Sequence, residues 1–175
     1  MLVKAEPSQR DTKSAKIIFR FEVILLSGPV TSSFVAKHPE APSRIIEIRG
    51  SQTLDALHQA IFRSFDREDH HMYEFQFGGK EPMDRKAKRY GIAIDAIDPK
   101  AQSAETASIA SLNLQEGSSF FYWFDFGDDW WHEVRLLGVT PAEKNRKRYP
   151  CIVEKKGASP PQYVDWDEED EEEEA

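Results

Sequence analysis

The chain has 175 residues, of which 39% are apolar, and this is enough for one domain with a buried core. Its net charge of −8 comes from nine acids within residues 165–175, because the other 22 of the 31 Asp and Glu nearly balance 23 Lys and Arg. The single Cys151 excludes an internal disulfide, and no apolar run is long enough for a membrane span, so we expect a cytoplasmic protein with no membrane partner.

The composition divides the chain into three parts. Residues 1–15 are polar and lack an apolar period, which predicts a flexible N-terminal arm. Residues 16–164 contain every periodic segment and are predicted to form a single domain. Residues 165–175 are predicted to be a disordered acidic tail.

Alternating apolar residues predict an opening pair of strands. At residues 17–26 the odd positions are apolar, whereas Arg20 and Glu22 interrupt the even ones. A two-residue period is typical of a strand that is covered on one side. Residues 44–49 alternate in the same way after a polar connection that contains prolines. We therefore expect a hairpin with a wide loop.

A helical period follows the two strands. One apolar stripe at a spacing of three and four residues is formed by Leu54, Leu57, His58, Ile61, Phe62 and Phe65. This spacing predicts an amphipathic helix, and Thr53 is placed to cap its first turn. Residues 73–77 then alternate again and predict a third strand.

The second half of the chain is less regular. Residues 80–106 contain two prolines and a basic run, and we expect an extended excursion there. Residues 120–126 and 130–139 read as two strands joined by a tight turn, in which Gly127 is expected to take a positive φ. Residues 157–161 read as an extended closing segment.

The order of elements predicts an α+β fold. One principal helix crosses a mainly antiparallel sheet, and the nearest architecture is a ubiquitin-like grasp with a long insertion. Fold alone does not imply an activity.

Three blocks of sequence resemble the plasmid pRiA4b ORF-3-like protein family. They are the helix start Thr53-Leu54 with Leu57-His58, the segment 71–75, and residues 122–132, Tyr-Trp-Phe-Asp-Phe-Gly-Asp-Asp-Trp-Trp-His. The closing segment also fits, except that Gln162-Tyr163-Val164 replace the acidic and glycine residues that the family has after its proline pair. The family occurs on plasmids and in mobile elements, and the resemblance implies a fold but no biochemical activity.

The aromatic and acidic hairpin at residues 122–132 is the first candidate for a binding surface. It has more large aromatic rings than one face can hide, so we expect some of them to line a groove for an unknown protein or small ligand. The candidate binding residues are His58, His71, Tyr73, Asp125, Asp128, Asp129, Trp130 and His132. Packing of the rings against the proline-rich closing segment is the alternative. The leading hypothesis is a small binding or adaptor module.

A divalent metal is a second hypothesis. Period two would place Asp128, Trp130 and His132 on one face, where a His/Asp set could serve a metal-dependent hydrolase or nuclease-like enzyme. The candidate ligands are His58, His71, His132 and Asp128, with Asp125 nearby. No short metal-ligand spacing and no nucleophile-base signature is present, so the sequence assigns neither a cofactor nor a catalytic residue and does not indicate an enzyme. A hydrogen-bonded core residue is the alternative for His58.

Weak nucleic-acid binding through basic loops is a third hypothesis. Two basic runs could attract phosphates if they lie on one side of the sheet. Each run has four positive charges in five residues, and the candidate nucleic-acid-binding residues are Arg85, Lys86, Lys88 and Arg89 in the first run and Arg146, Lys147 and Arg148 in the second, which begins at Lys144. The nearly neutral body favours the alternative, solvated loop charge.

Overall fold

A computed structural model describes residues 16–92, 101–142 and 148–164. The predicted arm at residues 1–15, the acidic tail at residues 165–175, and Arg146 and Lys147 lie outside the described residues.

The described residues form eight strands, two α-helices and one 3₁₀ helix. In chain order these are β1 (Ile17–Ser27), α1 (Ser32–Lys37), β2 (Ser43–Arg49), α2 (Leu54–Ser64), β3 (Tyr73–Phe77), β4 (Lys88–Gly91), β5 (Gln102–Ser103), the 3₁₀ helix (Ile109–Leu112), β6 (Ser119–Phe124), β7 (Trp130–Pro141) and β8 (Cys151–Lys156). Neither α-helix in this part of the chain is long and apolar enough to cross a bilayer.

All eight strands belong to one sheet. Its order is β5-β4-β3-β6-β7-β1-β2-β8, and every neighbouring pair is antiparallel except β4 with β5. The α+β class is therefore confirmed, with the sheet as the dominant part. The ubiquitin-like grasp is not confirmed.

The first predicted hairpin is confirmed. The odd residues of β1, such as Phe21 and Val23, are fully buried, and Phe21 lies opposite Ile46 of β2. The two-residue period predicts these strands correctly because one face of them lies under a helix while the other faces outward.

Helix α2 covers that inner face. Its apolar stripe, which includes Leu54, Leu57 and Ile61, is buried in the main core. The Thr53 side chain accepts a hydrogen bond from the backbone N–H of Ala56 at 3.3 Å, which satisfies one of the free donors of the first turn. The predicted helix and its cap are confirmed.

Several short elements were not predicted. Helix α1 occupies the polar connection, strands β4 and β5 lie inside the expected excursion, and β8 follows the Tyr149-Pro150 step. None has a strong apolar period, since β8 is almost entirely exposed and β5 has only two residues. Edge strands of this kind are specified by backbone pairing with a neighbour, which is a tertiary contact.

Trp130 fits closely against the chain at Gly28, just after β1. A Cβ atom at Gly28 would lie 2.1 Å from Cε3 of the Trp130 ring, far inside van der Waals contact. Trp130 itself is 0% exposed, so the ring has no free space into which it can retreat. Glycine is therefore required at position 28 by the packing of the tryptophan.

We predict that Gly28→Ala lowers the free energy of unfolding by about 1–3 kcal/mol, the usual cost of overpacking a dense core. Urea denaturation measures the change. Gly138→Ala is the matched control, because the nearest atom to its new Cβ is 3.9 Å away, and it should leave the midpoint nearly unchanged. Equal midpoints for wild type and Gly28→Ala would show that Trp130 is less tightly held than the distances indicate.

Candidate functional site

The turn at residues 125–129 joins β6 to β7 and is organised by the Asp125 side chain. Oδ1 of Asp125 accepts hydrogen bonds from the backbone N–H groups of Gly127 at 3.1 Å and Asp128 at 3.4 Å. The positive φ angles fall at Asp125 (58°) and Asp129 (54°). The prediction that Gly127 supplies the positive φ is therefore wrong, because aspartate also tolerates the left-handed conformation.

The hairpin divides its side chains between two faces of the sheet. Trp130 and His132 point inward and are 0% and 1% exposed, whereas Trp123 and Trp131 are half-buried on the other face. Strand β7 begins at Trp130, so the two-residue period does not extend back to Asp128, which lies half-buried in the turn. The expected common face of Asp128, Trp130 and His132 is therefore wrong.

The outer face carries a stack of three aromatic rings, which we call the aromatic stack. The rings of Phe126 and Trp123 have centroids 4.0 Å apart, and those of Trp123 and Trp131 are 5.0 Å apart and nearly parallel. Nε1 of Trp123 donates a hydrogen bond to Oδ1 of Asp129 at 2.9 Å. The stack is thereby fixed to the acidic turn.

His71 lies beside the same turn. Its Nε2 is 3.4 Å from Oδ2 of Asp125 and 3.0 Å from the hydroxyl of Tyr163, whose side chain is exposed. Next to Tyr163, the amide of Gln162 accepts hydrogen bonds from the backbone N–H groups of Glu68 and Asp69 and donates to the Asp69 carbonyl. Two of the residues that depart from the family pattern thus hold the closing segment against the loop after α2.

His58 is a buried, hydrogen-bonded residue of the core. Its Nδ1 lies 2.7 Å from the hydroxyl of Tyr122, and its ring stacks on Tyr73 with 3.7 Å between centroids. Burial lowers the pKa of His58 to about 3. Tyr73 is equally buried, and its hydroxyl donates a hydrogen bond to Asp55. Burial, and then this hydrogen bond, raise the pKa of Tyr73. Both candidates are therefore packed into the interior.

His132 is buried against Phe65, and neither of its ring nitrogens makes a hydrogen bond of good geometry, although the backbone of Tyr122 and Trp130 lies near enough to act on its pKa. Burial, and then the positive charge of Arg67, lower the pKa of His132 to about 3, so the ring is neutral at physiological pH. Arg67 is also buried, and its guanidinium carbon lies 3.7 Å from the centroid of the Trp130 ring. Arg67 is not among the residues that the sequence indicates, because it lies in a charged run that is typical of solvent-exposed loops.

The proposed metal ligands do not come together. His58 and His132 are buried in the interior, and His71 lies at the turn with Asp125. Residues 16–92, 101–142 and 148–164 contain no group of three or more His, Cys, Asp or Glu side chains that could hold a metal ion. No three of the candidate ligands therefore come together in the described part of the chain.

The described residues of the two basic runs, which are the whole first run and only Arg148 of the second, lie towards opposite edges of the sheet. Arg85 and Lys86 are exposed in the loop before β4, and on β4 itself Arg89 lies 3.3 Å from Glu74 while Lys88 lies over Tyr90. Arg148 is exposed just before β8, at the other end of the strand order. The described basic residues thus do not form one continuous patch.

Residues 36–167 match the family model described as plasmid pRiA4b ORF-3-like protein. An uncharacterized protein, y4hQ, of Sinorhizobium fredii (strain NBRC 101917 / NGR234) is 26% identical over 112 residues, which are 63% of this chain. The match spans about half of that relative's length, 53%. The crystal structure of MM3350, a protein of unknown function from Methanosarcina mazei Go1, has a TM-score of 0.65 at 23% identity and covers 90% of this chain and 80% of its own. This second likeness concerns the fold alone.

We predict that replacing His132 by Phe reduces the loss of stability in acid. The unfolded chain takes up a proton at this histidine below pH 6.5, whereas the folded protein does so only near pH 3. As the pH falls between these values, the free energy of unfolding of the wild type should therefore decrease by up to about 1.4 kcal/mol per pH unit because of His132. The His132→Phe variant should lack this contribution. Denaturant unfolding at pH 7, 6, 5 and 4 measures the two slopes. His38→Phe, which replaces an exposed histidine, is the control variant and should follow the wild type. If the free energy of unfolding falls with pH equally in the wild type and in His132→Phe, the prediction is contradicted.

Proposed function

The chain belongs to the plasmid pRiA4b ORF-3-like protein family, and we propose that it is a small cytoplasmic binding or adaptor module. The β6–β7 hairpin is its recognition surface, and its partner is a basic, partly apolar segment of another protein. The printed names of the relative and of the structural neighbour supply no activity, so the proposal depends on the geometry of the hairpin.

The aromatic stack is the observation that carries the proposal. Phe126, Trp123 and Trp131 lie on the face of the sheet opposite α2, and all three remain partly open to solvent. Strand β1 has an exposed apolar side chain nearby, because Leu26 directly precedes Ser27, the β1 residue that lies opposite Trp131. Large rings fixed by stacking lose little conformational entropy on binding, which favours a recognition role.

The acidic turn indicates the charge of the partner. Asp128 is half-buried in the turn, and Asp129 is exposed and bonded to Trp123, the middle ring of the aromatic stack. Carboxylates beside aromatic rings suit an Arg or Lys side chain, because such a side chain can lie on a ring and form an ion pair with a carboxylate at the same time.

The recognition residues differ from those that the sequence indicated. Trp130 and His132 were expected on the binding surface, but both are core residues, and changing them would test stability. The proposed recognition surface consists instead of the aromatic stack, Phe126, Trp123 and Trp131. Two of the residues that the sequence indicates, Asp128 and Asp129, also belong to it. Neither a metal-dependent hydrolase nor a nucleic-acid binding protein is favoured by a specific observation on the described residues.

We predict that Trp131→Ala weakens binding of a basic apolar peptide by at least about tenfold, the usual effect of truncating a central tryptophan. The probe is a short fluorescent peptide of alternating Arg and Leu, measured by fluorescence anisotropy. Peptides of alternating Glu and Leu, or Arg and Ser, are the comparison ligands and should bind weakly. Val35→Ala, which truncates an exposed apolar side chain in α1, is the control and should bind like wild type.

Asp129→Asn tests the same surface without removing a ring. Asparagine can still accept the hydrogen bond from Trp123 and tolerates the left-handed backbone, but it lacks the charge. Weaker and less salt-dependent binding is expected. Equal affinity for the Arg/Leu and Glu/Leu peptides, or wild-type affinity of a folded Trp131→Ala protein, would refute the proposal.

A further inference from the structure

Five buried polar atoms without hydrogen-bond partners lie on three side chains of the described interior. They are Nε and Nη2 of Arg67, Nε1 of Trp130, and Nδ1 and Nε2 of His132. Native proteins pair nearly all buried polar groups, so this group of exceptions requires a physical explanation. All three residues lie on the inner side of the hairpin, away from the aromatic stack.

The two free atoms of Arg67 have the geometry of an anion-binding fork. Nη1 is occupied, because it donates to the carbonyl of Pro160 at 2.9 Å. Nε and Nη2 lie together on the other edge of the planar guanidinium, and their N–H groups are the pair that holds a carboxylate or phosphate through two parallel hydrogen bonds. One complete edge of the group is thus left for an acceptor that has two oxygens.

The charge of Arg67 is compensated only at a distance, by the electrostatic attraction of the Asp66 carboxylate. No carboxylate of the described residues forms an ion pair with it. Arg44, a second buried arginine, donates to backbone carbonyls and to Ser159. The acid next to Arg67 in sequence, Asp66, is 61% exposed and pairs with Lys155. Burying a guanidinium without a carboxylate in direct contact is unfavourable, and an anionic ligand would offset that cost.

Trp130 and His132 add donors on the same side of the sheet. The Trp130 ring lies directly under the guanidinium of Arg67, and His132 is two residues further along β7 with the same inward orientation. Indole Nε1 is a donor only, and a neutral imidazole provides one donor and one acceptor. The three residues therefore offer mostly donors, which suits a ligand rich in acceptors.

We propose that Arg67, Trp130 and His132 form a binding site for a small oxyanion, a carboxylate or phosphate group. The fork of Arg67 holds two oxygens of the ligand, and Trp130 or His132 donates to a remaining lone pair. The closing segment, residues 157–163, covers the site through the bond from Arg67 to Pro160, so the ligand enters when this segment moves away. The site is separate from the aromatic stack and does not depend on the proposed function.

Indole N–H signals in a nitrogen-15 NMR spectrum test the proposal. Sodium phosphate and sodium acetate are titrated separately into the full-length protein, with sodium chloride keeping the ionic strength constant. The Trp130 signal, assigned by its loss in Trp130→Phe, should shift saturably with at least one of the two anions. The Trp131 signal, from the opposite face, should stay in place. The two titrations also show whether the ligand group is a phosphate or a carboxylate.

Arg67→Lys keeps the positive charge but removes the two parallel N–H donors, and it should lower the affinity for the anion by about tenfold or more. Arg63→Lys, one turn earlier and exposed, is the matched control and should behave like wild type. A Trp130 signal that responds to neither anion, as a site filled by buried water would give, overturns the proposal. Equal affinity in a folded Arg67→Lys protein overturns it as well. Should that variant not fold, the wild-type titration still decides.

Discussion

The stacking of the Arg67 guanidinium on the Trp130 ring joins parts of the chain that are far apart in sequence. Trp130 comes from β7, its ring lies against the backbone at Gly28 after β1, and Arg67 follows α2. The same arginine binds the carbonyl of Pro160 and so fixes the closing segment. One buried ring and one buried cation therefore hold the sheet, the end of the helix and the last described segment together.

This arrangement gives the hairpin two faces with different chemistry. Inward, Trp130 and His132 meet a cation in a buried environment where unpaired polar atoms are costly. Outward, Trp123 and Trp131 stack beside an acidic turn that solvent can reach. A protein segment suits the open face, and a small anion suits the closed one. The two proposals can therefore succeed or fail independently.

The closing segment links these two environments. Gln162 binds the backbone after α2, and Tyr163 reaches His71 beside the turn. Ser159 accepts from Arg44 and donates to Asp66. Gln162 and Arg44 are buried, whereas Tyr163 and Asp66 are exposed. The segment is thus held by buried and surface hydrogen bonds together.

Local periodicity by itself determined β1, β2, α2, β3 and the β6–β7 hairpin, because each has a long apolar pattern that matches one structure. The resemblance in residues 122–132 likewise indicated the right family. Only the tertiary structure decided which face of the hairpin is buried, since alternation separates Trp130 from Trp131 but does not say which of them meets the helix. Nor could the sequence reveal that Arg67 is buried, because a charged side chain enters the interior only when distant residues such as Trp130 and Pro160 surround it.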